Sequence, residues 1–123
     1  MDNINTTQRM HLWLELQEDI FIGLGRVQLL ERIDRLGSLN KAASSMGMSY
    51  RAAWGRMKKT EKLLGNPLVQ KTGPKKEYRL TPLGHEVVIK FRKWQSEVER
   101  YALERAREIF PWTIRPFEEE DKG

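Results

Sequence analysis

The stretch from Gly37 to Lys59, GSLNKAASSMGMSYRAAWGRMKK, constrains this chain more than any other. Ser38 is placed to cap a short helix that carries Ala42, Ala43 and Met46. Gly47 follows, and glycine takes a positive φ without steric cost, so a tight turn fits there. Ser49 can cap a second, longer helix, because a serine hydroxyl accepts a free backbone N–H of the first turn. Short helix, glycine turn and longer helix together have the form of a helix-turn-helix. In that motif the second helix enters the DNA major groove and offers its N-terminal residues to the base edges. On this spacing Tyr50, Arg51 and Trp54 face DNA.

The second helix is predicted over Ser49 to Leu64, with Gly65 as its stop and Ala53, Met57, Thr60 and Leu64 as its buried stripe. Tyr50, Arg51, Trp54 and Lys58 share a face centred about 100° from that stripe. Arg51 can donate in bidentate fashion to guanine O6 and N7. Tyr50 can bond a phosphate or base edge, or pack on a thymine methyl. Trp54 has two open readings, against the DNA or folded back into the core. Lys58 lies a turn further on and suits a phosphate, which positions a protein without reading sequence. Ser38 and Lys41 open the first motif helix, where backbone N–H groups can hold a phosphate; capping is the main role read for Ser38.

Charge follows the motif. The chain of 123 residues carries a net +5 with a pI of about 9.6. Residues 24–84 hold thirteen Lys or Arg against four acids, a net +9, whereas residues 1–23 carry −3 and residues 85–123 carry −1. A basic surface lowers the free energy of approach to a polyanion and releases its counterions.

The remaining segments read as follows. Residues 1–10 are taken as a loose, flexible terminus. His11 to Gln17 alternates, with Leu12, Leu14 and Leu16 on one face, as in a half-buried strand. Glu18 and Asp19 can turn the chain into a second short strand at Ile20, Phe21 and Ile22. A helix is predicted from Gly25 to Leu36, stopped by Gly37. Strands at 68–71 and 77–80 flank a basic tip, and with it make a wing that carries Lys71, Lys75 and Lys76. Thr81-Pro82 starts the last helix, about 82–109, since Thr caps and Pro fits the first helical position. Val87, Phe91, Trp94, Val98 and Tyr101 recur along it in a heptad-like seam that suggests helix pairing. Residues 110–123 are read as an acidic tail beyond a DNA-binding unit at 11–109. The fold class is therefore mainly α with small β: a winged helix-turn-helix with a long C-terminal dimerisation helix and a short N-terminal strand or hairpin.

Other classes find little support. With no cysteine, disulfides, thiolate chemistry and Cys-based zinc sites are excluded. His11 and His85 lack motif-level companions, and no phosphate-cradling glycine motif is present, so no catalytic residue, metal site or cofactor is assigned. No apolar run approaches the ~18–20 residues of a membrane span, and the polar N-terminus does not resemble a secretory signal. A cytoplasmic protein is expected. The alternative is a protein-interaction module on the same scaffold, using the Phe91/Trp94/Tyr101 face or the segment from Phe110 to Phe117.

From Leu24 to Gly84 the chain resembles the winged helix-turn-helix of LysR-type regulators. The resemblance rests on Gly37-Ser38-Leu39, Lys41-Ala42-Ala43, Ser49, Leu63-Leu64-Gly65, Pro67-Leu68-Val69 and Leu80-Thr81-Pro82-Leu83-Gly84. More closely it is similar to the N-terminal domain of ModE-like, molybdate-responsive regulators, through Gly25-Arg26-Val27, Leu29-Leu30 and the element Met48-Ser49-Tyr50-Arg51-Ala52-Ala53-Trp54. The resemblance implies a homodimer on a partly palindromic double-stranded operator. It places Ser49, Tyr50, Arg51 and Trp54 on the recognition helix and the helix from Pro82 at the dimer interface. Two departures stand out: the wing has fewer glycines than ModE-like wings, and the chain is expected to lack the molybdate-binding domain. Whether a separate protein supplies a sensor stays open.

Overall fold

A computed structural model describes residues 4–75 and 77–119. Its elements run β1 (Asn5–Gln8), β2 (Trp13–Leu16), β3 (Asp19–Gly23), α1 (Leu24–Leu36), α2 (Leu39–Ser45), α3 (Tyr50–Leu64), β4 (Val69–Thr72), β5 (Glu77–Leu80), α4 (Pro82–Ile109) and β6 (Thr113–Pro116). The mainly-α winged helix-turn-helix read from the sequence is the fold the chain adopts. Among the described residues, no helix is long and apolar enough to cross a membrane.

Local chemistry sets the helix ends. Gly37 and Gly65 close α1 and α3 in the left-handed region, at φ 72° and 76°. Thr81 caps α4 by accepting from the Gly84 backbone N–H, with Pro82 in the first turn. The core gathers Leu29, Leu30 and Ile33 of α1, Leu39, Ala42 and Ala43 of α2, and Ala53 and Met57 of α3 under Leu68, Val69 and Leu80 of the wing. A second cluster joins Ile22, Val27 and Phe91, so α4 packs across α1 and the end of β3.

Three two-stranded sheets decorate the helices. The strands β2 and β3 pair antiparallel, and so do β4 and β5; β1 pairs parallel with β6. The last pair takes residues 5–8 out of the terminus read as loose and puts residues 113–116, within the segment read as an acidic tail, into a sheet. Thr113 N–H donates to the Ile4 carbonyl and Phe117 N–H to the Gln8 carbonyl, at 3.0 and 3.1 Å. Ile114 is buried, and the Arg9 guanidinium lies 4.0 Å from the Phe117 ring centroid. The first hairpin also differs from expectation. Its turn falls at Gln17 and Glu18, both at positive φ, one residue earlier than predicted. Leu14 and Leu16 are exposed, because the hairpin stands out from the helices along most of β2.

Candidate nucleic-acid interface

The motif is built from the side chains that its spacing requires. The Ser38 hydroxyl accepts from Lys41 N–H and the Ser49 hydroxyl from Ala52 N–H, each at 3.1 Å. Gly47 turns the chain at φ 68°. Ala42, Ala43 and Ala53 are buried, and their small size lets α2 and α3 approach closely. Arg32 of α1 donates to the Ser45 carbonyl at 2.8 Å and to its hydroxyl at 3.0 Å, fixing the end of α2. On α3, Ala53, Met57 and Thr60 are buried, and the Thr60 hydroxyl donates to the Phe21 carbonyl at 2.8 Å. With that stripe inward, Tyr50, Arg51, Trp54 and Lys58 are all exposed.

These four side chains are not equivalent. Arg51 has no ion-pair partner among the described residues. Tyr50 and Trp54 are 47% and 37% exposed, and their rings stack at 6.3 Å with planes 14° apart. Of the two readings of Trp54, the surface position is the one observed. Lys58 holds its ammonium 4.6 Å from the Trp54 ring centroid and 3.2 Å from a Glu61 carboxylate oxygen. Lys41, Lys71 and Lys75 are exposed, with the Lys71 ammonium 5.6 Å from the Tyr78 ring centroid. Lys76 lies outside the described residues. Sequence reasoning passed over Lys62, which is exposed on α3; it follows Arg51 by eleven residues and Lys58 by four, a helical interval that marks a shared face.

The wing is bolted to the helices by polar contacts. The buried Glu61 carboxylate accepts from Leu68 N–H at 2.6 Å and Val69 N–H at 3.3 Å. The Asp34 carboxylate accepts from Leu80 N–H at 3.0 Å, the Gly37 carbonyl accepts from Tyr78 N–H at 3.0 Å, and Arg79 donates to the Asp34 carbonyl. Gly84 sits where a Cβ would fall 2.2 Å from the Leu68 carbonyl oxygen, so α4 meets the wing too closely for any side chain.

The proposed pairing seam on α4 divides. Phe91 is 4% exposed in the chain's own core, with Val87 half-buried beside it, so Phe91 itself offers little surface for pairing. The cause is a shared cluster in which Ile22 and Phe21 of the hairpin pack with Phe91, Val87 and Val27. Trp94 meets the Phe91 ring edge-on at 5.6 Å and is half-buried. Val98 is half-buried, whereas Tyr101 is 65% exposed. Beside the seam, Arg92 of α4 bridges Glu31 of α1 and Glu119 beyond β6. Hydrogen bonds from Arg92 hold the Glu119 carboxyl below its ordinary range, against a smaller opposing effect of burial, and the same carboxylates raise the Arg92 guanidinium. Among the described residues no group of three or more His, Cys, Asp or Glu is placed to hold a metal.

Residues 24–85 match the family described as bacterial regulatory helix-turn-helix protein, lysR family. The chain belongs to this family. Within it, the LysR-type chain is 31% identical over 122 residues to the molybdenum transport protein ModE of Azotobacter vinelandii, covering 92% of this chain and 45% of that protein. It is 38% identical over 65 residues to the transcriptional regulator ModE of Haemophilus influenzae, covering 52% and 26% respectively. The LysR-type chain thus spans less than half the length of these curated relatives. Among solved structures it is similar to a BenM DNA-binding domain in complex with benA site 1 DNA (TM-score 0.58, 19% identity, 73% of this chain and 99% of that one). It is also similar to the CbnR DNA-binding domain in its DNA complex (TM-score 0.55, 20% identity, 68% and 93%). These likenesses match the fold described above. The relatives that carry the family match are regulators rather than enzymes.

Proposed function

We propose that this chain is a sequence-specific binder of double-stranded DNA that regulates transcription in the cytoplasm as a homodimer. The observation that carries the reading is α3: it is capped, packed by its alanine and methionine stripe, and turned so that Tyr50, Arg51 and Trp54 point outward near its N-terminus. Arg51 reads a guanine edge. Lys41, Lys58, Lys71, Lys75 and Lys76 supply phosphate contacts, joined by Lys62, while Ser38 and Ser49 hold the helix ends that position them. Pairing runs along the outer part of the α4 seam, through Trp94, Val98 and Tyr101, with Val87 and Phe91 supporting it from within the protomer. The binding unit extends over about residues 11–109, braced by the β1–β6 pair.

Fluorescence anisotropy tests the reading, using DNA from upstream of the chain's own coding region and a random duplex of equal length across a salt series. Tighter binding to the former, with log K falling linearly in log salt, is expected. Equal affinity for the two duplexes at every salt concentration refutes sequence-specific binding. Lys75→Ala should weaken both duplexes alike and reduce the salt slope by roughly 0.9 per protomer.

A further inference from the structure

We propose that Trp54 is a thymine reader, whose indole edge packs against the C5-methyl group of a thymine beside the guanine contacted by Arg51. This inference rests on the DNA-binding reading above and names what the aromatic pair recognises. Tyr50, Trp54 and Lys58 stand four residues apart, so they form one row along α3 and meet one another rather than solvent alone. Tyr50 stacks on Trp54 from one turn toward the N-terminus, and Lys58 places its ammonium over the same ring from one turn toward the C-terminus. Lys58 is itself held by Glu61. The faces of the indole are thus engaged from both directions along the helix. A base stacked on Trp54 would have to displace Tyr50 or Lys58, which argues against intercalation or base stacking. With Tyr50 and Lys58 set against the ring and Trp54 37% exposed, the part of the indole left for a base is its rim, which is mostly C–H. Only thymine among the four DNA bases carries an apolar group in the major groove, its C5-methyl. A C–H rim gains from covering that methyl and gains nothing comparable from the polar atoms of the other bases. Arg51 follows Tyr50 directly and precedes Trp54 by three residues, so guanidinium and indole rim project over neighbouring positions of one site.

The test begins with a duplex selected from random DNA by the full chain. Each thymine is replaced in turn by deoxyuridine, which removes the methyl and leaves the pairing edge intact. At one thymine in each half-site the affinity should fall about fourfold, the loss of one buried methyl-sized group. Replacing that A·T pair by G·5-methylcytosine, which restores a methyl, should bind better than G·C at the same position. Trp54→Ala, at an exposed site, should bind the thymine and deoxyuridine duplexes equally, while Arg51→Ala keeps the difference between them. A flat deoxyuridine scan with the unaltered protein overturns the proposal without any variant. So does a thymine preference that survives unchanged in Trp54→Ala. If selection enriches no sequence at all, it is the DNA-binding reading that has failed; an enriched sequence with a flat scan refutes the thymine reader alone.

Discussion

Single residues decide two different properties here. Arg51 is the residue proposed to carry discrimination: its guanidinium is exposed and has no ion-pair partner among the described residues, so removing it takes little from the fold. Arg51→Ala should lower the preference for the selected site over random duplex about tenfold or more, within the roughly 1–3 kcal/mol of a bidentate guanine contact. Its melting temperature should match that of the unaltered chain; anisotropy and calorimetry together check this. Gly84 carries stability. An alanine Cβ there would lie 2.2 Å from a backbone carbonyl, which cannot swing aside as a side chain would. Gly84→Ala should lower Tm by about 5–10 °C in a thermal melt, since wing and helix must part to admit it. The role of Gly84 could not be read locally, because glycine in a first helical turn shows nothing of the carbonyl opposite. The exposed position of Arg51 could be read, because it depends only on distance from a cap. Trp54 was ambiguous for a related reason: it is large for an exposed helical site, and its stack with Tyr50 is a contact between side chains that periodicity does not show.

At the level of elements, what was legible was written in nearest neighbours along the chain. Ser38, Ser49, Thr81 and the glycines at 37 and 65 mark helix ends by local hydrogen bonding, and these ends lie where the sequence places them. The pairing of β1 with β6 was not legible. Its strands are polar and brief, their partners lie more than a hundred residues apart, and neither shows the alternation that would announce a sheet. The burial of Phe91 within the protomer was not legible either, since a period of helical spacing cannot say which neighbour fills it. The segment after β6 offers a pH test. Glu119 is lowered by its bonds with Arg92, so its contribution to docking is complete above the ordinary carboxylate value of 4.5 and is lost as pH falls through the lowered folded value. Hydrogen-exchange protection factors at the amides around Phe117 should therefore fall under acid before those of α3 do. Arg92→Gln should bring the same loosening at neutral pH. Exchange that is insensitive to both would show that the ion pair does not hold this segment.

For the whole molecule, the proposed dimer is the property that most needs a measurement. Tyr101 is exposed and makes no contribution to the packed clusters, so Tyr101→Asp should leave the fold intact. Sedimentation equilibrium should show the unaltered chain dimeric, and the variant should dissociate at least about tenfold more readily, because a carboxylate buried in an apolar seam is costly. An unchanged association constant would place the pairing surface elsewhere. One further property follows from the parallel pair at the chain's ends. A pull applied to the two termini enters β1 at Asn5 and leaves β6 at Pro116, which are opposite ends of a parallel ladder. The load therefore shears the ladder, straining its rungs together, whereas a hairpin held at its two open ends would peel one rung at a time. Drawn out in an optical trap, this chain should resist until those rungs fail together, and only then surrender the helices behind them.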